Sequence, residues 1–113
     1  MSGVPLPGKP VRGSKTGVPL MAALDLIGRR WALQIIWELY RKPLGFRALR
    51  EACTDISPTI LSTRLKELRS ASLVEYDGEG RNQLTKIGIE LYQAVGSLKS
   101  WALRWEKSLI RNN

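Results

Sequence analysis

Residues 45–76 read GFRALREACTDISPTILSTRLKELRSASLVEY. The stretch predicts a short helix, a tight turn, a second helix and then a strand. Ser57-Pro58 opens the second helix with a side-chain cap followed by proline at the first helical position. Behind it, Leu61, Leu65 and Leu68 recur at helical spacing. The opposite face carries Thr59, Ser62, Thr63 and Lys66, short hydroxyls and a cation with no carboxylate among them. A helix that is apolar behind and short, polar and basic in front suits a DNA major groove. The fold class expected is mainly α with a small β-hairpin wing (α+β), a winged helix-turn-helix.

Composition narrows the function from the other side. The chain has 113 residues, enough for one domain with a core of its own, and it contains one cysteine, Cys53, so no internal disulfide is possible. Histidine is absent, which removes His-based acid–base chemistry, Ser-His-Asp triads and the usual zinc sites. The carboxylates Asp25, Glu38, Glu51, Asp55, Glu67 and Glu75 are scattered, and there is no Gly-rich phosphate loop. No enzyme, catalytic residue, cofactor or metal is expected. Neither an apolar run long enough for a membrane span nor a secretory signal is present, so a cytoplasmic protein is expected. Lys and Arg number 18 against 10 Asp and Glu, a net charge of +8 that favours a polyanionic partner.

Outward from the opening stretch, residues 1–19 hold Gly3, Gly8, Gly13 and Gly17 with Pro5, Pro7, Pro10 and Pro19. Such a segment does not bury enough apolar surface to order itself, and it reads as a flexible basic arm carrying Lys9, Arg12 and Lys15. Two readings stand for it, a minor-groove arm or an uninvolved tail. Residues 20–113 form the folded domain. A first helix is expected over 20–27 with Met21, Leu24 and Ile27 on one side, and a second from Arg29 to about Lys42. The second is apolar nearly all round and predicts a central, buried pillar. Residues 46–52 form a third helix with Phe46, Leu49 and Cys53 inward; residues 57–71 form the fourth. Strands at 73–76 and 81–84 flank the turn Asp77-Gly78-Glu79-Gly80 and make a small wing. Thr85 caps a final helical region to about Arg111, which Gly96-Ser97 is expected to divide.

At this point the chain resembles a known family. The phrases LDLIGRRWALQIIWEL, FRALREACTDISPTILSTRLKELRSASLVE, LTKIG and LKSWALRW, spread over residues 20–105, are similar to those of the HxlR-type regulators, a MarR-like winged-helix group of bacteria and archaea. The resemblance implies a homodimeric transcription factor that acts in the cytoplasm, on nucleoid DNA, at a pseudo-palindromic operator. It implies a dimer interface built from the terminal helices, here Met21, Leu24, Leu98, Trp101, Ala102, Trp105 and Leu109. Tryptophans that close their own chain's core are the other reading of Trp101 and Trp105. Many family members carry a sensing cysteine just ahead of the first helix, whereas this chain has Gly17-Val18-Pro19 there. The wing turn is shorter than in relatives, and Asn82 stands where a tyrosine is common.

Candidate DNA contacts follow. Thr59, Ser62 and Thr63 suit base edges, since hydroxyls donate or accept and the threonine methyl packs on thymine. Ser57 caps the same helix, and Arg64 and Lys66 reach a guanine or the backbone. Arg47, Arg50 and Arg81 suit phosphate. Solvated surface charge is the plain alternative for each cation. Cys53 reads as a small buried residue rather than a redox switch. Beyond a DNA-reading regulator, the chain admits a winged-helix protein-interaction module, a nonspecific nucleoid-associated DNA-binding protein, or a sensor with an unknown effector among Trp37, Tyr40, Tyr92 and Trp101. A basic face without carboxylates argues against the interaction module.

Overall fold

A computed structural model of the chain describes residues 3–8 and 18–111. The proposed arm cations Lys9, Arg12 and Lys15 lie outside the described residues. In order come α1 (Pro19–Ile27), α2 (Ala32–Arg41), α3 (Phe46–Ala52), α4 (Pro58–Ser70), β1 (Val74–Tyr76), β2 (Asn82–Leu84) and α5 (Lys86–Arg111). No described helix is long and apolar enough to cross a membrane.

One core holds these elements. The buried rows Ile35, Ile36 and Leu39 of α2 and Leu61, Leu65 and Leu68 of α4 meet Leu49 and Cys53, with Val74 and Leu84 of the hairpin closing the side. Each fully buried aliphatic side chain contributes about 1.5–3 kcal/mol. The spacing that predicts α4 is the spacing that fills this core.

The wing is an antiparallel pair with Val74 opposite Leu84 and Tyr76 opposite Asn82. Its turn is closed by the Asp77 carboxylate, which accepts from the backbone N–H groups of Glu79 at 2.8 Å and Arg81 at 2.9 Å. Gly80 supplies the left-handed residue, φ 80°. Leu44 adds a one-residue bridge to Asn82, so the segment between α2 and α3 edges the sheet.

Three local expectations are corrected. The second helix begins at Ala32, not Arg29, because Trp31 takes a left-handed conformation, φ 76°. The turn is held from outside: the Arg30 carbonyl accepts from Arg64 Nε at 2.8 Å, and Arg29 Nη1 donates to Glu67 at 2.7 Å. Those contacts offset the order of 1 kcal/mol that such a backbone costs. Phe46, expected inward, opens α3 with 42% of its surface exposed. Gly96-Ser97 does not divide the last helix, since α5 runs unbroken through both. A single interior glycine costs about 1 kcal/mol, which its 26-residue helix absorbs. The remaining bounds agree within a residue or so.

Residues 3–8 lie against the domain, with Pro5 buried. Low sequence complexity gave no sign of that contact.

Candidate nucleic-acid interface

The sequence of α4 sets which atoms it presents. Ser57 sits in extended backbone just before the helix, and its Oγ accepts from the Ile60 N–H at 3.1 Å. Its place among the candidates is therefore as the cap that fixes the helix start, worth about 1 kcal/mol. With Leu61, Leu65 and Leu68 turned into the core, Thr59, Thr63 and Lys66 stand exposed and Ser62 half-buried. These four share one face. The helix carries Glu67, whose carboxylate points away from that face to Arg29 and Arg64.

Two of the candidate cations are committed elsewhere. The Arg64 guanidinium donates to the Arg30 carbonyl and, at 3.3 Å, to Glu67, so it braces α4 against the α1–α2 turn. Arg81 is exposed but paired at 2.9 Å with Asp77 and at 3.6 Å with Glu79. Hydrogen bonding to Asp77, then the charges of Asp77 and Glu79, raise its pKa further. Burial pushes the Asp77 carboxyl up, yet the Glu79 and Arg81 N–H groups and the Arg81 guanidinium together hold it below its ordinary value. The wing tip thus carries its cation already neutralised. Spacing alone did not reveal either pairing, because Arg30 is distant in sequence and the Asp77 turn had to close first.

Arg47 and Arg50 are exposed on α3 and line a concavity that runs to Ser57 and Pro58 at the start of α4. Glu51 and Asp55 share that concavity and temper its charge. Arg50 Nε lies 3.4 Å from the Ile56 carbonyl, a weak contact that leaves the rest of the guanidinium outward.

Sequence reasoning missed a second groove, between α4 and the wing. Phe46 and Tyr76 line it together with Ser62, Lys66 and Arg69. Arg69 lies 4.7 Å over the Tyr76 ring and donates to Asn82 Oδ1 at 3.1 Å. Asn82, only 3% exposed, donates in turn to the Leu44 carbonyl at 3.1 Å. Asn82 is therefore the tie between α4, the wing and the α2–α3 link.

Cys53 is 0% exposed, and burial followed by the charge of Glu38 pushes its thiol up to about 11. The reactive thiolate is scarce at neutral pH. A thiol reagent such as Ellman's disulfide is expected to leave the native protein essentially unlabelled at pH 8 and to label it fully in denaturant. Rapid stoichiometric labelling without denaturant would overturn the buried, structural reading of Cys53.

Along α1 and α5, apolar residues face outward. Leu24 is 48% exposed, Leu98 52%, Trp101 48%, Trp105 54% and Leu109 50%. Met21 and Ala102 are half-buried beside them. Trp101 and Trp105 stack on each other, ring centroids 5.5 Å apart, instead of entering the core. Of the proposed effector wall, Tyr40 stacks on Tyr92 at 4.2 Å.

Comparison with known proteins agrees with this architecture. The family model described as HxlR-like helix-turn-helix matches residues 26–109. The quinone-bound structure of YodB from Bacillus subtilis is 32% identical, with a TM-score of 0.70, over 75% of this chain and 94% of that one. A MarR-family regulator from Enterococcus faecalis V583 superposes with a TM-score of 0.74 at 26% identity, over 81% and 89% of the two chains. The HTH-type transcriptional regulator YvaP of Bacillus subtilis is 29% identical over 89 residues, 74% of this chain and 82% of its own.

Proposed function

Because the chain belongs to the HxlR-like helix-turn-helix family of transcriptional regulators, not to a family of enzymes, we propose that it is a sequence-specific DNA-binding regulator acting as a homodimer. Two copies of α4 enter successive major grooves of a pseudo-palindromic operator, about 34–36 Å apart. The observation that carries this reading is the outer face of α4: Thr59, Ser62, Thr63 and Lys66 together, with the one carboxylate of the helix turned away.

Thr59, Ser62 and Thr63 read base edges, and Lys66, Arg47 and Arg50 hold phosphates. Arg64 supports α4 from behind, and the neutralised wing tip at Arg81 adds little charge to the complex. Hydroxyl readers discriminate weakly one at a time, so DNA shape contributes to the choice of site. Exposed apolar residues of α1 and α5 support the dimer, since a free surface of that kind favours a second copy. Residues 20–113 then act as one DNA-binding and dimerisation domain, in the cytoplasm.

The test is fluorescence anisotropy on the intergenic DNA beside the protein's own gene, against scrambled DNA, across a salt series. A specificity ratio above about 10³ is expected. Ser62→Ala with Thr63→Ala is expected to weaken operator binding by about 1–3 kcal/mol for each base edge no longer read, with an unchanged melting temperature. Parent-like operator binding by that double variant would reject α4's outer face as the reader. Equal binding to both DNAs would reduce the protein to a nonspecific DNA coat.

A further inference from the structure

Away from the recognition face lies a cavity of about 370 Å³, within the range of small-molecule sites. Its walls are apolar: Ala22 and Leu26 of α1, Leu91 of α5, and Leu73 just after α4. The segment Pro5-Leu6-Pro7 crosses it as a strap. Glu90, exposed on α5, is the one ionisable side chain among the described residues that line it. Such a site welcomes a compact apolar molecule and, through Glu90, prefers a cation to an anion.

The cavity is also mechanically connected to α4. Ala71, at the end of α4, forms part of the wall. The strap's Gly3 carbonyl accepts from Arg29, and the same guanidinium donates at 2.7 Å to Glu67 in the last turn of α4. Arg29 also lies 3.8 Å from Asp25 on α1. One side chain thus joins the strap, α1 and α4.

We propose that this cavity is an effector site for a compact apolar molecule, neutral or cationic, whose binding presses on the strap and on Ala71, loosens the Arg29–Glu67 clamp and lowers DNA affinity. The last step rests on the DNA-binding reading above; the site and the loosening do not.

Three probes of one size separate the possibilities: 2-naphthylmethanol, 2-naphthylmethylamine (a cation at pH 7) and 2-naphthoate. Titrated calorimetrically into the full chain without DNA, the alcohol and the amine are expected to bind, the amine about fivefold tighter, as a partly exposed ion pair allows. Naphthoate is expected to bind more weakly than either. Glu90→Gln should equalise amine and alcohol, and Ile87→Trp, a change at an exposed wall residue, should weaken all binding at least tenfold by filling the space. Amine binding should speed hydrogen exchange in residues 58–70 and lower operator affinity about tenfold. No binding by any probe, tightest binding by naphthoate, or parent-like binding by Ile87→Trp would overturn the site. Binding without faster exchange in 58–70 would overturn the coupling. If probes bind and exchange responds but operator binding is absent in every state, the DNA reading fails and this site stands.

Discussion

Gly88→Ala is expected to destabilise the fold by about 3 kcal/mol, although alanine is the better helix former. A Cβ at Gly88 would lie 2.2 Å from the Leu73 carbonyl oxygen and 3.2 Å from its carbon. Both obstacles are backbone, so no side chain can swing aside. That carbonyl is pinned because it accepts from the Thr85 N–H at 3.0 Å. The Thr85 hydroxyl donates to the Ser72 carbonyl at 2.7 Å and accepts from the Gly88 N–H at 3.0 Å. Making room therefore breaks the junction between β1 and α5, beside the core residues Leu73 and Val74. The same helix supplies its own control. At Gly96 an added Cβ meets nothing within 4 Å, and Gly96→Ala should stabilise by about 1 kcal/mol. Denaturant midpoints of the two variants should move in opposite directions. A Gly88→Ala protein as stable as its parent would mean that α5 does not approach Leu73 so closely.

The two glycines illustrate what the chain announces and what it conceals. A cap followed by proline at Ser57-Pro58, and the leucine row behind α4, are local signals, and the helix follows them. The hairpin is equally local: Gly80 takes the left-handed backbone, and Asp77 folds the turn onto its own carboxylate. Trp31 escapes such reading because contacts with Arg64 and Glu67, more than thirty residues on, hold the Arg29–Arg30 turn ahead of it. Gly88 and Gly96 look alike in sequence, and only the approach of Leu73 distinguishes them. The site divides in the same way. The hydroxyl face of α4 was legible from periodicity, whereas the Arg64 contact with the Arg30 carbonyl forms only when the α1–α2 turn packs against α4. Arg69, Tyr76 and Asn82 form their tie across helix and wing, which no spacing encodes.

Trp101→Glu combined with Trp105→Glu is expected to leave a folded monomer whose operator affinity has fallen by about 10²–10⁴. Neither tryptophan belongs to the buried core, and about half of each is exposed, so their replacement should spare the melting of the winged helix. The unmet apolar surface is large for a single small chain. Leu98, Leu109 and the two tryptophans follow one another along α5, and Leu20 and Leu24 of α1 are also exposed. Covering such a set with a second copy removes apolar area from water on both protomers, and aromatic residues carry much of the energy at interfaces of this kind. Two carboxylates introduced on each protomer would face their own images and lose hydration on association. A single α4 then binds a half-site alone and forfeits the advantage of linkage. Light scattering would report the mass, and anisotropy on whole and half operators would report affinity. For the parent, the whole operator should win by the linkage factor; for the variant, the two DNAs should bind equally per half-site. A variant that stays dimeric would move the interface off α5. A monomer with undiminished operator affinity would show that one copy of α4 is sufficient, and the homodimeric reading would fall.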